Sequence, residues 1–254
     1  VVSLAATNGG RRHLRVHDVH VEFFHAAIDE WLTVLPPLGL RRAGYVWQLR
    51  KAMYGTRRAA QLWQEFAASA FKRNGWTRIA VAAGMYYEPL LDMTAVIHGD
   101  DVLTEGEWEA LDVLEPQLTG EMDIKSLGRV GPDGLEAIKY LKRTIKWTGT
   151  GFFWTGDSKH IAKAVKAFGL QDTKPADTPG TRVTGKTMRG VLEPLHGDAA
   201  KLFPSVAGLV NFVAVDRPDI QFALKVVLGD KPLEISMSRL KRIVRYLAGH
   251  SELE

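Results

Sequence analysis

Two adjacent carboxylates, Asp100 and Asp101, follow Gly99 at the end of an apolar run, and a third, Asp18, closes an alternating segment far upstream. Neighbouring carboxylates repel each other and lose solvation when buried, and a divalent cation offsets both costs. A trio of oxygen ligands can hold two Mg²⁺ ions, one polarising an attacking hydroxyl and the other steadying a leaving pyrophosphate oxygen. Taken alone, Gly-Asp-Asp is more often a solvated turn, because Gly and Asp are common turn residues. His17 and His98, close to Asp18 and Asp100, leave open a third reading, a metal-dependent phosphohydrolase using those four side chains.

Positioning such a trio requires strands that bring distant residues together. His13–Val19 alternates apolar and polar residues as a half-buried strand does, with Asp18 near its end. Gly84–Glu88 and Thr94–His98 read as two strands. The second runs through Gly99-Asp100-Asp101 into Val102-Leu103-Thr104, the pattern of a hairpin with its acidic pair at the turn. Ala59–Lys72 reads as a helix with Leu62, Trp63, Phe66, Ala70 and Phe71 on one face and a stop at Asn74-Gly75. Leu35–Gly39 reads as a loop, Tyr45–Leu49 as a short strand, Glu107–Leu118 as an amphipathic helix, and Ile138–Ile145 and Gly151–Trp154 as strands. A further helix is expected from an N-cap at Asp157 or Ser158 to Gly169. Lys174–Gly190, rich in Pro, Thr and Gly, is the linker candidate. Helices are expected at Pro204–Val215, Pro218–Leu228 and Ser238–Ala248.

Among the 254 residues, 46% are hydrophobic and 24% charged, which is globular composition rather than disorder. Cysteine is absent, excluding disulfides and cysteine zinc sites. No apolar run approaches the ~18 residues of a membrane span, and the opening residues are not a signal peptide. Net charge is +7 over residues 1–80, −11 over 81–137 and +8 over 138–254. Two basic segments around an acidic one suit a polyanion-binding protein with a central cation site, or simply solvated faces.

Eight collinear blocks carry a resemblance. His17-Asp18-Val19-His20-Val21-Glu22-Phe23-Phe24-His25-Ala26, followed by Asp29-Glu30, resembles D-V-K-T-A-F-L-N-G with its acidic pair. Leu35-Pro36-Pro37-Leu38-Gly39-Leu40 resembles Q-P-P-G-F, and Val46 through Trp63 resembles V-x-K-L-x-K-S-L-Y-G-L-K-Q-A-P-R-x-W. His98-Gly99-Asp100-Asp101 stands where Y-V-D-D is expected, and Lys125-Ser126-Leu127-Gly128 resembles K-D-L-G. Phe168 through Pro179, Arg217 through Ala223 and Lys241 through Gly249 resemble F-G-M-x-x-x-K-P-V-x-T-P, R-P-D-I-x-F-A and K-R-I-L-R-Y-L-x-G. Over roughly residues 13–250 the chain is thus similar to the reverse transcriptase of copia-type LTR retrotransposons.

The resemblance implies an α+β fold, a right-hand polymerase palm of antiparallel sheet packed on helices. Residues 1–150 would hold partial fingers and palm, and residues 151–254 a helical thumb or connection region leading toward an RNase H domain. It implies RNA-directed DNA polymerase activity, with Asp18, Asp100 and Asp101 as catalytic carboxylates and, with the Val19 carbonyl, as ligands of Mg²⁺, or Mn²⁺ in its place. Phe23 falls at the steric gate that disfavours a ribose 2′-OH. Arg57 and Arg58 fall in the block that meets the dNTP triphosphate, and Lys125 is a candidate acid for pyrophosphate departure. The implied partners are an RNA or DNA template-primer, dNTPs, and integrase and RNase H domains of one polyprotein, without a membrane. The implied setting is a cytoplasmic virus-like particle or the nucleus.

Several positions depart from the pattern. Arg58 replaces Gln, Ala60 replaces Pro, and Lys142 replaces a Gly in Leu141–Ile145. Glu22 replaces a small residue beside the gate, where it would repel a triphosphate unless Arg57 or Arg58 pairs with it. With a first residue other than Met, most of the fingers segment and the RNase H domain missing, the chain is expected to be cut from a longer protein. A catalytically inactive remnant that at most binds nucleic acid is the alternative reading.

Overall fold

The computed structural model describes residues 1–7, 11–156, 158–181, 193–229 and 232–250. In chain order the elements are α1 (Val2–Thr7), β1 (His13–Val19), β2 (Thr33–Val34), β3 (Trp47–Gln48), α2 (Ala59–Arg73), β4 (Thr77–Arg78), β5 (Met85–Glu88), β6 (Met93–His98), β7 (Asp101–Gly106), α3 (Trp108–Thr119), β8 (Ile124–Val130), β9 (Ala137–Tyr140), β10 (Arg143–Trp147), β11 (Phe152–Thr155), α4 (Lys159–Phe168), α5 (Gly197–Ala214), α6 (Pro218–Leu228) and α7 (Glu234–Gly249). Single 3-10 turns occupy Glu22–His25 and Leu38–Leu40. The chain divides into two units, Val1–Trp154 and Thr155–Glu254.

The first unit is organised by a six-stranded sheet in the order β4-β5-β6-β7-β1-β8. Each neighbouring pair is antiparallel. Because side chains alternate along a strand, the sheet buries two different apolar sets. Val19, Met93, Ala95 and Val102 pack with Trp63, Ala67 and Phe71 of α2 and Leu111, Leu114 and Leu118 of α3. Leu14, Val16, Leu103 and Val130 pack on the other face with Ala5, Ile138, Tyr140 and Ile145. Burying one fully enclosed Leu or Phe contributes about 2 kcal/mol, so this double covering fixes the register of β1 and β7. At their far end the buried Arg12 guanidinium pairs with the equally buried Glu105 at 2.7 Å. Arg12 also pairs with the exposed Asp92 at 2.9 Å, so removing Arg12 would leave the buried Glu105 carboxylate without its guanidinium.

Some regions of this unit differ from the sequence expectation. Ile138–Ile145 is not one strand but the hairpin β9–β10, with Tyr140 facing Arg143 across it. Leu141 and Lys142, at φ 48° and 63°, make its turn. Positive φ at both central residues is the type I′ signature and favours Gly or Asn. The apolar residues there hid the turn, and Lys142 stands at the position where the resemblance expects Gly. Another difference is β8, a strand that the sequence pattern does not predict. Its pairing with β1 slips between Val16 and His17, so Leu127 is bulged, and Gly128 sits at φ 123°. That bulge breaks the alternation by which a strand is recognised.

The second unit is helical among the described residues. Leu240, Ile243, Val244 and Leu247 of α7 are buried against Ala164 of α4, Val206 and Val210 of α5 and Ile220 and Leu224 of α6. α5 begins at Gly197, well before the expected start at Pro204, and carries that proline inside it. Of the expected linker, Lys174–Thr181 is docked rather than free. The Ala176 amide donates to the Arg245 carbonyl, and Arg245 donates to the Lys174 carbonyl at 2.7 Å. Residues 182–190, and the candidate N-cap Asp157, lie outside the described residues.

Candidate active site

The β6–β7 hairpin turns through two residues, Gly99 and Asp100, between the cross-strand partners His98 and Asp101. Gly99 has φ 64° whereas Asp100 stays at negative φ, the sign pattern of a type II′ turn with its preferred Gly first. Gly99 therefore answers to backbone geometry. Its carbonyl accepts the buried Trp63 indole N–H at 2.8 Å, tying α2 to the turn.

β1 runs between β7 and β8. Asp18 is directly opposite Asp101 on one side and opposite Lys125 on the other. Directly opposed residues share a face of the sheet, so Asp101, Asp18 and Lys125 form a row across three strands. The Val19 amide donates to the Asp100 carbonyl at 2.8 Å, closing the end of the β1–β7 ladder on the acidic turn. Asp18 and Asp101 are half-buried, Asp100 and Lys125 exposed. The Val19 side chain is buried in the core under α2 and α3. The Asp101 carboxyl is pushed above its ordinary pKa, first by burial, then by the charges of Asp100 and Asp18, with His98 opposing. Tyr140, on β9 over the same face, is pushed up to about 12 by burial and by the Asp101 charge.

The site thus gathers three carboxylates beside a single lysine in the row, a hard-oxygen donor set of the kind a divalent cation such as Mg²⁺ or Mn²⁺ takes. As they stand, no three His, Asp or Glu side chains among the described residues are arranged to hold a metal ion. The fit is one of backbone register and charge, which suits Mg²⁺ because it takes one or two carboxylates together with waters and substrate phosphates rather than an all-protein cage.

The other candidates separate. Phe23 lies half-buried on the Glu22–His25 turn, its ring 4.5 Å from that of Tyr54. Arg57 is exposed at the approach to α2. Arg58 is engaged in an ion pair with Asp29. Neither arginine meets Glu22: the buried Glu22 carboxylate instead accepts the Tyr54 hydroxyl. That hydroxyl is pushed up to about 12, first by the hydrogen bond to Glu22, then by burial and by the charges of Glu22, Asp100 and Asp18. The sequence pattern marks Tyr54 only as part of a motif and Trp63 only as a residue of the apolar helix face. The one available signal for Tyr54 was Glu22 itself, an acid in an apolar stretch that needs a donor.

His17 does not join the carboxylates. It alternates with Asp18 along β1 and so faces the opposite side of the sheet, fully buried, 3.9 Å from Glu115 of α3. Burial, helped by Arg15, pushes its pKa down to about 4. A phosphohydrolase centre made of His17, Asp18, His98 and Asp100 is therefore not formed.

The sequence model of the family described as reverse transcriptase (RNA-dependent DNA polymerase) matches residues 1–182. The putative transposon Ty5-1 protein YCL074W of Saccharomyces cerevisiae is 27% identical over 239 residues, covering 91% of this chain and 74% of that protein. The uncharacterized mitochondrial protein AtMg00810 of Arabidopsis thaliana is 27% identical over 160 residues, covering 62% of each chain. The retrovirus-related Pol polyprotein from transposon RE1 of Arabidopsis thaliana is 23% identical over 93% of this chain, which spans 16% of that polyprotein.

Proposed function

The chain belongs to the reverse transcriptase (RNA-dependent DNA polymerase) family, and we propose that it is the polymerase domain of an LTR-retrotransposon polyprotein, joining dNTPs to a primer 3′-OH on an RNA or DNA template. In this reading the first unit is the palm with part of the fingers and the second a thumb or connection region. The antiparallel sheet of the one and the helices of the other support that assignment. The observation that carries the activity is the row Asp101–Asp18 across the β1–β7 ladder, with Asp100 at the turn. Two carboxylates from separate segments share one face beside a third.

The primer hydroxyl attacks the α-phosphate in line and pyrophosphate departs. Asp18, Asp100 and Asp101, with the Val19 carbonyl, would hold divalent cations, Mg²⁺ or Mn²⁺. When bound, these supply charge stabilisation to the attacking and leaving oxygens. Lys125, in register with Asp18, is the proton donor to the leaving pyrophosphate. Phe23 lies against the sugar and crowds a 2′-OH. Arg57 meets the triphosphate, joined by Arg58 on release from Asp29. Residues 31–64 carry six Lys and Arg and no acidic residue, which supports polyanion binding through phosphates in that stretch. Integrase and RNase H domains of the same polyprotein are the further partners, and the naming of the RE1 relative as a Pol polyprotein supports a polyprotein setting.

The test is primer extension on an RNA template with Mg²⁺ or Mn²⁺. DNA synthesis that Asp100→Asn abolishes is expected, and no synthesis with either ion would overturn the activity. The Arg58–Asp29 pair favours the second reading, a remnant that binds nucleic acid without catalysis. Salt-sensitive binding without nucleotide incorporation would identify it.

A further inference from the structure

A buried acid stands beside the proposed gate, and its partner is the residue that touches the gate ring. Glu22 is 7% exposed and its carboxylate accepts the Tyr54 hydroxyl. A buried carboxylate stripped of its donor loses a charge-assisted hydrogen bond and most of its compensation, so the pair is mutually fixing. The Tyr54 ring packs on Phe23 with centroids 4.5 Å apart and planes at 50°, and edge-on to Phe24 at 6.0 Å. These are favourable geometries for aromatic pairs.

The backbone enforces the same juxtaposition. Ala52 donates to the Ala26 carbonyl at 3.0 Å and Ile28 to the Arg50 carbonyl at 3.3 Å, so the segment leading to Tyr54 is paired with the segment leaving Phe23. Val21, which launches the Glu22–His25 turn, sits at φ 47°, a costly conformation for a β-branched residue. A conformation held against strain marks a position that its surroundings over-determine. Tyr54 is also close enough to Asp18 and Asp100 for their charges to act on its hydroxyl.

We propose that Glu22 and Tyr54 form a lock that sets the position of the Phe23 ring and thereby the discrimination between deoxyribonucleotides and ribonucleotides. Glu22 acts through Tyr54, and Tyr54 through its ring contact with Phe23, so both are positioning residues. The lock rests on the gate role given to Phe23 above. It explains why an acid is tolerated beside a triphosphate site: its charge is spent on a hydroxyl rather than presented to the nucleotide. Aromatic packing alone leaves the Phe23 ring free to swing with Tyr54, whereas the hydroxyl–carboxylate bond anchors Tyr54 to the same turn that carries Phe23.

The experiment compares wild type, Tyr54→Phe and Glu22→Gln on a template-primer, with dTTP and UTP as probes. Two ratios are read: relative kcat/KM for incorporation, and relative Kd by equilibrium dialysis on a dideoxy-terminated primer that cannot be extended. Tyr54→Phe keeps the ring and removes the anchor, and it should lower the preference for dTTP about tenfold, the size of one charge-assisted hydrogen bond. Glu22→Gln keeps an acceptor for the hydroxyl and should hold the preference within about threefold. Incorporation by all three proteins with an unchanged ratio in Tyr54→Phe overturns the lock and leaves the polymerase reading intact. Absence of incorporation with a binding ratio that falls in Tyr54→Phe and survives in Glu22→Gln overturns the activity and supports the lock. A binding ratio indifferent to both substitutions overturns the lock whether or not DNA is made.

Discussion

The indole N–H of Trp63 donates to the Gly99 carbonyl at 2.8 Å, so a helix beneath the sheet holds the turn that carries the acidic pair. The bond joins a sequence block around α2 to the Gly-Asp-Asp block, and it makes the position of Asp100 depend on a residue buried in the core.

Trp63→Phe keeps an aromatic ring in the core and removes that donor. Global stability should fall by about 1 kcal/mol, the net value of one hydrogen bond. Primer extension should fall on the order of tenfold because the turn loosens. Denaturant melts and extension rates on the same preparation separate the two. A loss of stability with unchanged kcat would show that the turn does not need the helix.

Asp101 gives a pH signature of definite sign. Its folded pKa is raised above the ordinary carboxylate value, so the folded state binds the proton more tightly than the unfolded chain. The resulting stabilisation is present in acid and lost as pH rises through the folded pKa. Without divalent ions, Asp101→Asn should therefore melt higher than wild type at pH 7, and the gap should close toward pH 4. Millimolar Mg²⁺ should raise the wild-type melting temperature and leave Asp101→Asn nearly unmoved.

His17 carries the opposite sign over a neighbouring window. Its folded pKa of about 4 lies below the unfolded 6.5 because burial disfavours the imidazolium. The unfolded chain takes up the proton first, so stability is whole above pH 6.5 and falls as pH drops toward 4, by about 3 kcal/mol at the limit. His17→Leu, which buries no ionisable group and leaves no unpaired ring nitrogen, should flatten this acid limb in a urea-denaturation series. An acid limb of the same depth in His17→Leu would assign the loss elsewhere.

The hairpin turn at Leu141-Lys142 is strained at both residues. Lys142→Gly should stabilise the protein by about 1 kcal/mol, the cost of holding a side chain in the left-handed region, or roughly 3 °C in melting temperature. A lower melting temperature would mean that the Lys142 side chain makes a compensating contact in solution.

What the sequence disclosed followed periodicity. β1, α2 and the β6–β7 hairpin were readable because Leu14 and Val16, the Leu62–Phe71 face and the apolar runs flanking Gly99 keep the spacing of their elements over their full length. β8 was not readable, because the bulge at Leu127 and the glycine beside it erase the two-residue period, yet this is the strand that sets Lys125 opposite Asp18. Asp18, Asp100 and Asp101 could be nominated from residue type, but their register is a property of the folded ladder. The partner of Glu22 was beyond reach for a different reason. An acid in need of a donor is visible in sequence, whereas the choice of Tyr54 over Arg57 or Arg58 depends on the backbone pairing of Ala26 with Ala52.

In the proposed mechanism Asp18 and the Asp100–Asp101 turn serve one cation centre. Mn²⁺ binding followed by electron paramagnetic resonance in the presence of dTTP tests it directly. Asp18→Asn and Asp101→Asn should each weaken binding more than about tenfold, while Glu136→Gln, an exposed acid at the foot of β9, should leave it unchanged. Binding lost in Asp101→Asn but untouched in Asp18→Asn would rule out a shared centre.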